Sequence, residues 1–563
     1  MRGIHRATTG AVAVVLALTI VPAAARGAAD PTERGHFKVE NIRYDAGVTT
    51  VRDPNGVTFA ERLQGSLHIP RGRGPFPLLI LLHGRHGTCE LVERFESFGF
   101  PCPDAPPVIR DVPSYLGYEY LAAHLASHGF VVDSISANGI NSYDIALLLS
   151  DNGMRMRAEI VARQLDLLSE WNKTASEDIG DALLDKIDFD RIGLMGHSRG
   201  GEGVTKFVSY NRERTDGPRY EGLQAVFALA PTDFYEQEAT GVHFGTLLPL
   251  CDGDVYSLHG AWMYDRARFL SPRRFARVQF TVNGANHNFF NTVWTFDDGP
   301  SGGDDTGNNP ACDPQRQGTT RLTAKEQREV GLALMSAFFL TYVGGDQGYE
   351  QFITGEAPLP PRACPDVDPP REERLSCDEF VGISYLGAAT NYEMIVAPGA
   401  DDSYSRRGAL SVTECTSTTS GRGCPTIPTR SIATQLTVEW EGRGTLSVPV
   451  DQEVTRFDAL TFRGGMNFKS PLNRDLREQD FEVALIDSAG REAVVHAAHF
   501  GDSFLRPAGG EHQQLTLNGT RIPLQAFGTV DLTRLARVEF RFGAVTRTGS
   551  IQLLEIGFQD DSR

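Results

Sequence analysis

The hexapeptide Gly196-His197-Ser198-Arg199-Gly200-Gly201 sets a serine between glycines two positions to either side, after the apolar run 191–195 and before a helix-like stretch. Glycine at those places lets the chain turn sharply from strand to helix, so that the hydroxyl stands clear as a nucleophile. The helix start favours negative charge developing beside it. A serine hydroxyl attacks well only with a base to take its proton and an acid to orient that base. His287, in Gly284-Ala285-Asn286-His287-Asn288, follows the last strand-like run of the first half and is expected as the base. His243 precedes a strand, His259 lies in a helix-like stretch and His512 is far down the chain, so they fit less well. The acid is expected in Cys251-Asp252-Gly253-Asp254-Val255; Asp252 is preferred for its register, with Asp254 the alternative. Such a set would transfer an acyl group through an acyl-serine, the oxyanion being held by two backbone N–H groups. The expected donors are Arg199, next to the serine, and Arg85 in His83-Gly84-Arg85-His86-Gly87. Phe289, Phe290 and Trp294 follow the histidine and would either line an acyl pocket or pack the loop down. His83 and His86 lack a third ligand at metal spacing, so no metal is expected there. Activity should fall as His287 protonates, near the usual imidazole pKa of about 6.5.

Those side chains need a rigid frame, and residues 36–355 supply one. Short apolar runs (76–82, 130–135, 191–196, 223–229, 245–250, 275–282) alternate with helical patterns at 118–128, 156–171 and 323–343. That alternation is the signature of an α/β domain, a mostly parallel sheet covered by helices on both faces. Residues 356–373 then hold six prolines, which deny both helix and sheet donors, so 356–375 reads as a stiff linker. Beyond it, alternating runs at 481–486, 537–542 and 551–558 without long helices predict an antiparallel β-sandwich over 376–563.

The chain of 563 residues is too long for one core, which fits this division. Lys+Arg 54 against Asp+Glu 72 gives a net charge of -18, which argues against nucleic acid as a partner. Arg2, His5 and Arg6, the apolar run 11–25 and the small residues after it read as a secretory signal over 1–29, making the protein extracellular. The run is shorter than the roughly 20 residues a membrane anchor needs, so no transmembrane anchor is expected. An even set of eight cysteines in an exported chain favours disulfides. Closeness in sequence suggests Cys89 with Cys102, Cys364 with Cys377 and Cys415 with Cys424, leaving Cys251 with Cys312. The aspartate-rich stretch 296–313 lacks the spacing of a calcium loop and reads as a solvated loop.

The segments LLILLHGRHG, YLAAHLASHGFVV, GLMGHSRGG, CDGDV and GANHNFF together resemble secreted α/β-hydrolases of the dienelactone hydrolase, platelet-activating-factor acetylhydrolase and chlorophyllase-like group, with cutinases as more distant relatives. The resemblance implies the α/β-hydrolase fold and cofactor-free hydrolysis of a carboxylic ester, small or polymeric, by Ser198, His287 and Asp252. Pro249 stands where such relatives often carry glycine, which keeps Asp254 open as the acid. The segments DFEVALIDSAGR, TRIPLQAFGTVDLTRLARVEFRF and SIQLLEIGF resemble galactose-binding-like and carbohydrate-binding sandwiches, which implies either a polysaccharide partner or a structural packing module. Trp440, Tyr385 and Tyr392 are the conspicuous aromatics for stacking on sugar rings. The competing class is a non-catalytic extracellular binding protein that keeps a hydrolase scaffold and a glycan-binding sandwich.

Overall fold

The structure, a computed structural model, describes residues 29–560 apart from 92–95, 105–107, 145–149, 271–273, 302–309, 317–318, 320, 365–379, 389–390, 397–403, 417–423, 426–432, 475 and 507–513. Residues 1–28 of the expected signal over 1–29, most of the expected linker and Cys377 lie outside the described residues.

The first unit is a nine-stranded mixed sheet. Its strands are β1 (Val39–Arg52), β2 (Thr58–Pro70), β3 (Phe76–Leu82), β7 (Val131–Ile135), β8 (Ile187–His197), β9 (Leu223–Leu229), β10 (His243–Pro249), β11 (Arg277–Val282) and β12 (Val381–Leu386), in the order β1-β2-β7-β3-β8-β9-β10-β11-β12. The six from β7 to β11 run parallel, whereas β1, β2 and β12 are antiparallel to their neighbours. Three short strands, β4 (Cys89–Leu91), β5 (Glu96–Ser97) and β6 (Val108–Asp111), form a separate small sheet.

Every residue of β3 is buried because both faces of the sheet are covered. Leu78, Ile80 and Leu82 pack with α3 (Met154–Trp171), α4 (Arg199–Glu213) and α5 (Gly260–Leu270). Leu79 and Leu81 pack with α1 (Glu119–Ser127) and α6 (Ala324–Tyr342) on the opposite face. A capping box of Thr323 and Glu326 starts α6. The short helices α2 (Asn138–Tyr143) and α7 (Gln351–Thr354) complete this unit.

The C-terminal strands are β13 (Tyr392–Val396), β14 (Ser405–Cys415), β15 (Gln435–Gln452), β16 (Ala459–Met466), β17 (Glu482–Asp487), β18 (Glu492–His496), β19 (Asn518–Pro523), β20 (Leu535–Phe542) and β21 (Thr548–Gln559). All their pairings are antiparallel, and they form one hydrogen-bonded sheet around a single apolar core. The 18-residue β15 makes this possible, because its first half pairs with β21 and its second half with β20.

Two features depart from the picture of a module on a tether. Strand β12 lies in the range expected to belong to the sandwich, yet it extends the first sheet by pairing with β11. The two units also share buried polar contacts. Arg463 pairs with Asp265 at 2.9 Å, Arg268 pairs with Glu555, and Gln279 Nε2 donates to the Leu517 carbonyl at 2.9 Å. Of the three aromatics expected to stack on sugars, Trp440 and Tyr392 are buried, whereas Tyr385 is half-buried and faces a cavity. Trp440 is buried against Phe542 with its indole N–H on the Thr546 carbonyl, and Tyr392 is buried with its hydroxyl on the Glu555 carbonyl. The Trp440 ring belongs to the apolar core of these strands.

Disulfides join Cys89–Cys102, Cys251–Cys312 and Cys415–Cys424, each as expected from sequence. The partner expected for Cys364 is Cys377, which is not described. Among the described residues, no helix is long and apolar enough to cross a membrane.

Candidate active site

Ser198 sits between the end of β8 and the start of α4 with φ 57° and ψ −126°. A non-glycine residue in that region is strained, and strain of this kind persists only where the surroundings enforce it. The enforcement is close packing. A Cβ on Gly196 would lie 2.1 Å from the Gly200 carbonyl oxygen, and one on Gly84 would lie 2.5 Å from Ser198 Cβ. The loop after β3 therefore rests directly against the serine. Neither the Arg85 nor the Arg199 backbone N–H has an acceptor among the described residues.

His287 and Asp252 follow β11 and β10, adjacent parallel strands whose C-terminal ends bring the two loops together. His287 Nδ1 lies 2.9 Å from Asp252 Oδ2, and each residue is only 1% exposed. With Nδ1–H donated to the carboxylate, Nε2 carries the lone pair. That atom is buried without a hydrogen-bond partner. Asp252 Oδ1 accepts the backbone N–H groups of Asp254 at 2.9 Å and Val255 at 2.5 Å, which fixes the carboxylate. Asp254 instead has a side chain 66% exposed, with Oδ2 3.6 Å from His287 Nε2. The two aspartates thus lie on different nitrogens of the ring, Asp252 on Nδ1 from within and Asp254 toward Nε2 from the solvent side.

Ser198 and Arg199 line a cavity of about 290 Å³ together with Arg85, Thr232, Phe234 and Tyr256. Phe289, Phe290 and Trp294 do not line it. Phe290 and Trp294 are buried, with Trp294 stacked on His86 and donating its indole N–H to Ser114 Oγ at 3.0 Å. A larger cavity of about 500 Å³ lies where the two sheets meet, lined by Tyr385, Tyr392, Arg463 and His499 among others, and none of Ser198, Asp252, Asp254 and His287 lines it.

Sequence reasoning missed several groups that build the site. Asp298 accepts the N–H of Gly253 at 2.7 Å, of His287 at 3.0 Å and of Asn288 at 3.1 Å, so one carboxylate ties the acid loop to the base loop. Asp297 takes Asn286 Nδ2 at 2.8 Å and the Arg321 guanidinium at 2.6 Å. These two aspartates belong to the stretch read as solvated; Asp304 and Asp305 of that stretch lie outside the described residues. His197 is buried with its ring centroid 4.9 Å from that of His287 and its Nδ1 2.9 Å from the Tyr118 hydroxyl. Glu202 on α4 accepts from Thr232 Oγ1 at 2.8 Å and the Tyr235 N–H at 2.9 Å, bracing the cavity wall. Burial, and then Asp233, push its carboxyl up to about 7. Among the described residues, no group of three or more His, Cys, Asp or Glu is placed to hold a metal.

Burial alone would depress the His287 pKa. The Asp252 carboxylate, with Asp254 and Asp298 behind it, outweighs burial and raises it from 6.5 to about 10. His197 moves the other way, held well below 6.5 by burial and then by His287, so it stays neutral beside its neighbour. If the neutral form of His287 is the active one, kcat/KM should rise with pH, its acid limb lying above 6.5 and toward 10. A pH–rate profile on a neutral ester checks this; a limb below 6.5 would contradict it. The same raised pKa stabilises the fold fully below pH 6.5, a contribution lost as pH rises through about 10.

No family model matches the chain. Among curated proteins it is 26% identical over 276 residues to Cutinase cut1 of Thermobifida fusca, covering 45% of this chain and 75% of that protein. It is 27% identical over 237 residues to Cutinase 2 of Thermobifida cellulosilytica, covering 39% of this chain and 79% of that one. It is 30% identical over 178 residues to Cutinase est2 of Thermobifida alba, covering 29% and 51% respectively. With the mixed sheet and its helices, these likenesses support a hydrolase of the α/β-hydrolase superfamily.

Proposed function

We propose that the protein is a secreted serine hydrolase that cleaves carboxylic esters through an acyl-serine. The observation that carries this reading is the strained Ser198 elbow opening into a cavity that Asp254 also lines, together with a buried Asp252–His287 pair whose Nε2 lies 3.6 Å from the Asp254 carboxylate. Ser198 Oγ attacks the ester carbonyl while His287 Nε2 takes its proton. The oxyanion is received by the Arg199 and Arg85 N–H groups, which have no acceptor among the described residues. His287 then protonates the departing alcohol, and Asp252 keeps the imidazole in the useful tautomer and steadies its charge. Water, deprotonated by His287, releases the acid and restores the serine. The unpartnered Nε2 fits a resting site, since catalytic hydrogen bonds often tighten only when substrate is bound.

The curated relatives carry the name cutinase, and a polymeric ester is consistent with a cavity rimmed by the exposed Phe234 and Tyr256. The C-terminal sheet, joined to the first by buried ion pairs, is read as part of the enzyme's framework rather than a sugar-binding module.

The test is pre-steady-state hydrolysis of p-nitrophenyl acetate. The wild type should release a burst of p-nitrophenolate equal to the enzyme present, and Ser198→Ala should give none. A burst of equal size from Ser198→Ala would overturn the assignment.

A further inference from the structure

Behind the two expected oxyanion donors lies a buried network that nothing in the sequence singled out. Asp144, at the end of α2, is fully buried. Its carboxylate pairs with the Arg199 guanidinium and, at 2.8 Å, with Arg157 Nη2, itself fully buried on α3. Its backbone carbonyl accepts Arg85 Nε at 3.1 Å. Asn141, one turn earlier on α2, donates from Nδ2 to the Gly84 carbonyl at 3.0 Å and accepts from Arg157 Nη2 at 2.8 Å. The two segments that carry the N–H donors are thus both tied to the C-terminal end of α2, one on each side of the nucleophile.

Placing two guanidiniums on one buried carboxylate, with a third on the same residue's backbone carbonyl, is costly, because removing charges from water is repaid only by good geometry. A surface arginine at 85 or 199 would need no such arrangement. The network instead fixes what an oxyanion hole requires, two donors whose separation and direction do not change as charge develops.

We propose that Asp144, assisted by Asn141, is a positioning residue that sets the oxyanion hole through the side chains of Arg85 and Arg199. The proposal rests on the serine hydrolase reading and adds to it a residue that touches neither substrate nor nucleophile. Because the oxyanion forms only on the way to the tetrahedral intermediate, loosening the donors weakens transition-state binding and leaves ground-state binding alone.

The experiment compares wild type, Asp144→Asn and Asn141→Ala, with active sites counted by the p-nitrophenyl acetate burst. Per active site, Asp144→Asn should lower kcat on the order of 10–10²-fold, the scale of an ångström-sized misplacement, with KM changed less than about twofold. The Ki of a trifluoromethyl ketone, which forms the tetrahedral adduct, should rise by the same factor. Asn141→Ala removes the Gly84 contact and the hydrogen bond from Arg157, keeps the ion pairs of Asp144 and should move the same quantities in the same direction by a smaller factor. It decides the matter if Asp144→Asn does not fold. A merely structural role would reduce the number of active sites and leave kcat per site and the ketone Ki unchanged. Unchanged values in the folded variants overturn the proposal. A wild type that hydrolyses no ester would remove the underlying reading as well, and so is distinguishable from that outcome.

Discussion

His287→Ala is expected to lower kcat for ester hydrolysis by roughly 10⁴–10⁶, the loss seen when a triad base is deleted. Nothing else in the site can take its place. His197 is the nearest imidazole by ring contact, but its Nδ1 is engaged with Tyr118 and burial holds its basicity far below that of His287. His259 lines the cavity, but its ring stacks on Trp262 and its Nδ1 accepts the Asp233 N–H at 3.1 Å. KM should change little, because His287 is buried and does not line the cavity. Steady-state kinetics on a soluble p-nitrophenyl ester measures both numbers. A loss of less than about tenfold would remove His287 from the mechanism.

Asp252→Asn should cost about 10⁴ in kcat, since an amide in that place cannot hold the imidazole in the required tautomer. Asp254→Asn should cost under about tenfold, because an exposed carboxylate is screened by solvent and makes no bond to Nδ1. It should also move the acid limb of the pH profile downward, since Asp254 is one of the carboxylates that raise the His287 pKa. The reverse ranking of the two variants would make Asp254 the acid. The single variants suffice, because each aspartate faces a different nitrogen of the same ring.

What the sequence made legible follows from how local each signal is. Strands β3, β8 and β9 were readable as continuous apolar runs because both faces of the sheet are covered, and their burial bears this out. The serine elbow was readable because its steric requirement falls on glycines within two residues of Ser198. The long β1–β2 hairpin was not, since it places polar residues on an open face and follows no apolar run. Strand β12 was invisible for another reason: its partner lies about a hundred residues away across the linker, and only tertiary pairing shows which sheet it joins. Asp144, Asp298 and Glu202 are single acids in ordinary contexts, and their roles arise from partners on other elements. The aromatic reading failed in a similar way. Trp440 and Tyr392 looked available for stacking, but Trp440 is packed into the sheet's own core and Tyr392 is buried with its hydroxyl on the Glu555 carbonyl.

The most direct measurement is reaction of the folded protein with a fluorophosphonate, followed by peptide mass analysis. A serine activated by a neighbouring imidazole should gain one phosphonyl group, on Ser198 and no other residue, with Ser198→Ala and His287→Ala left unmodified. Folded wild-type protein that takes up no label, or carries it at another serine while Ser198 stays intact, would contradict the account.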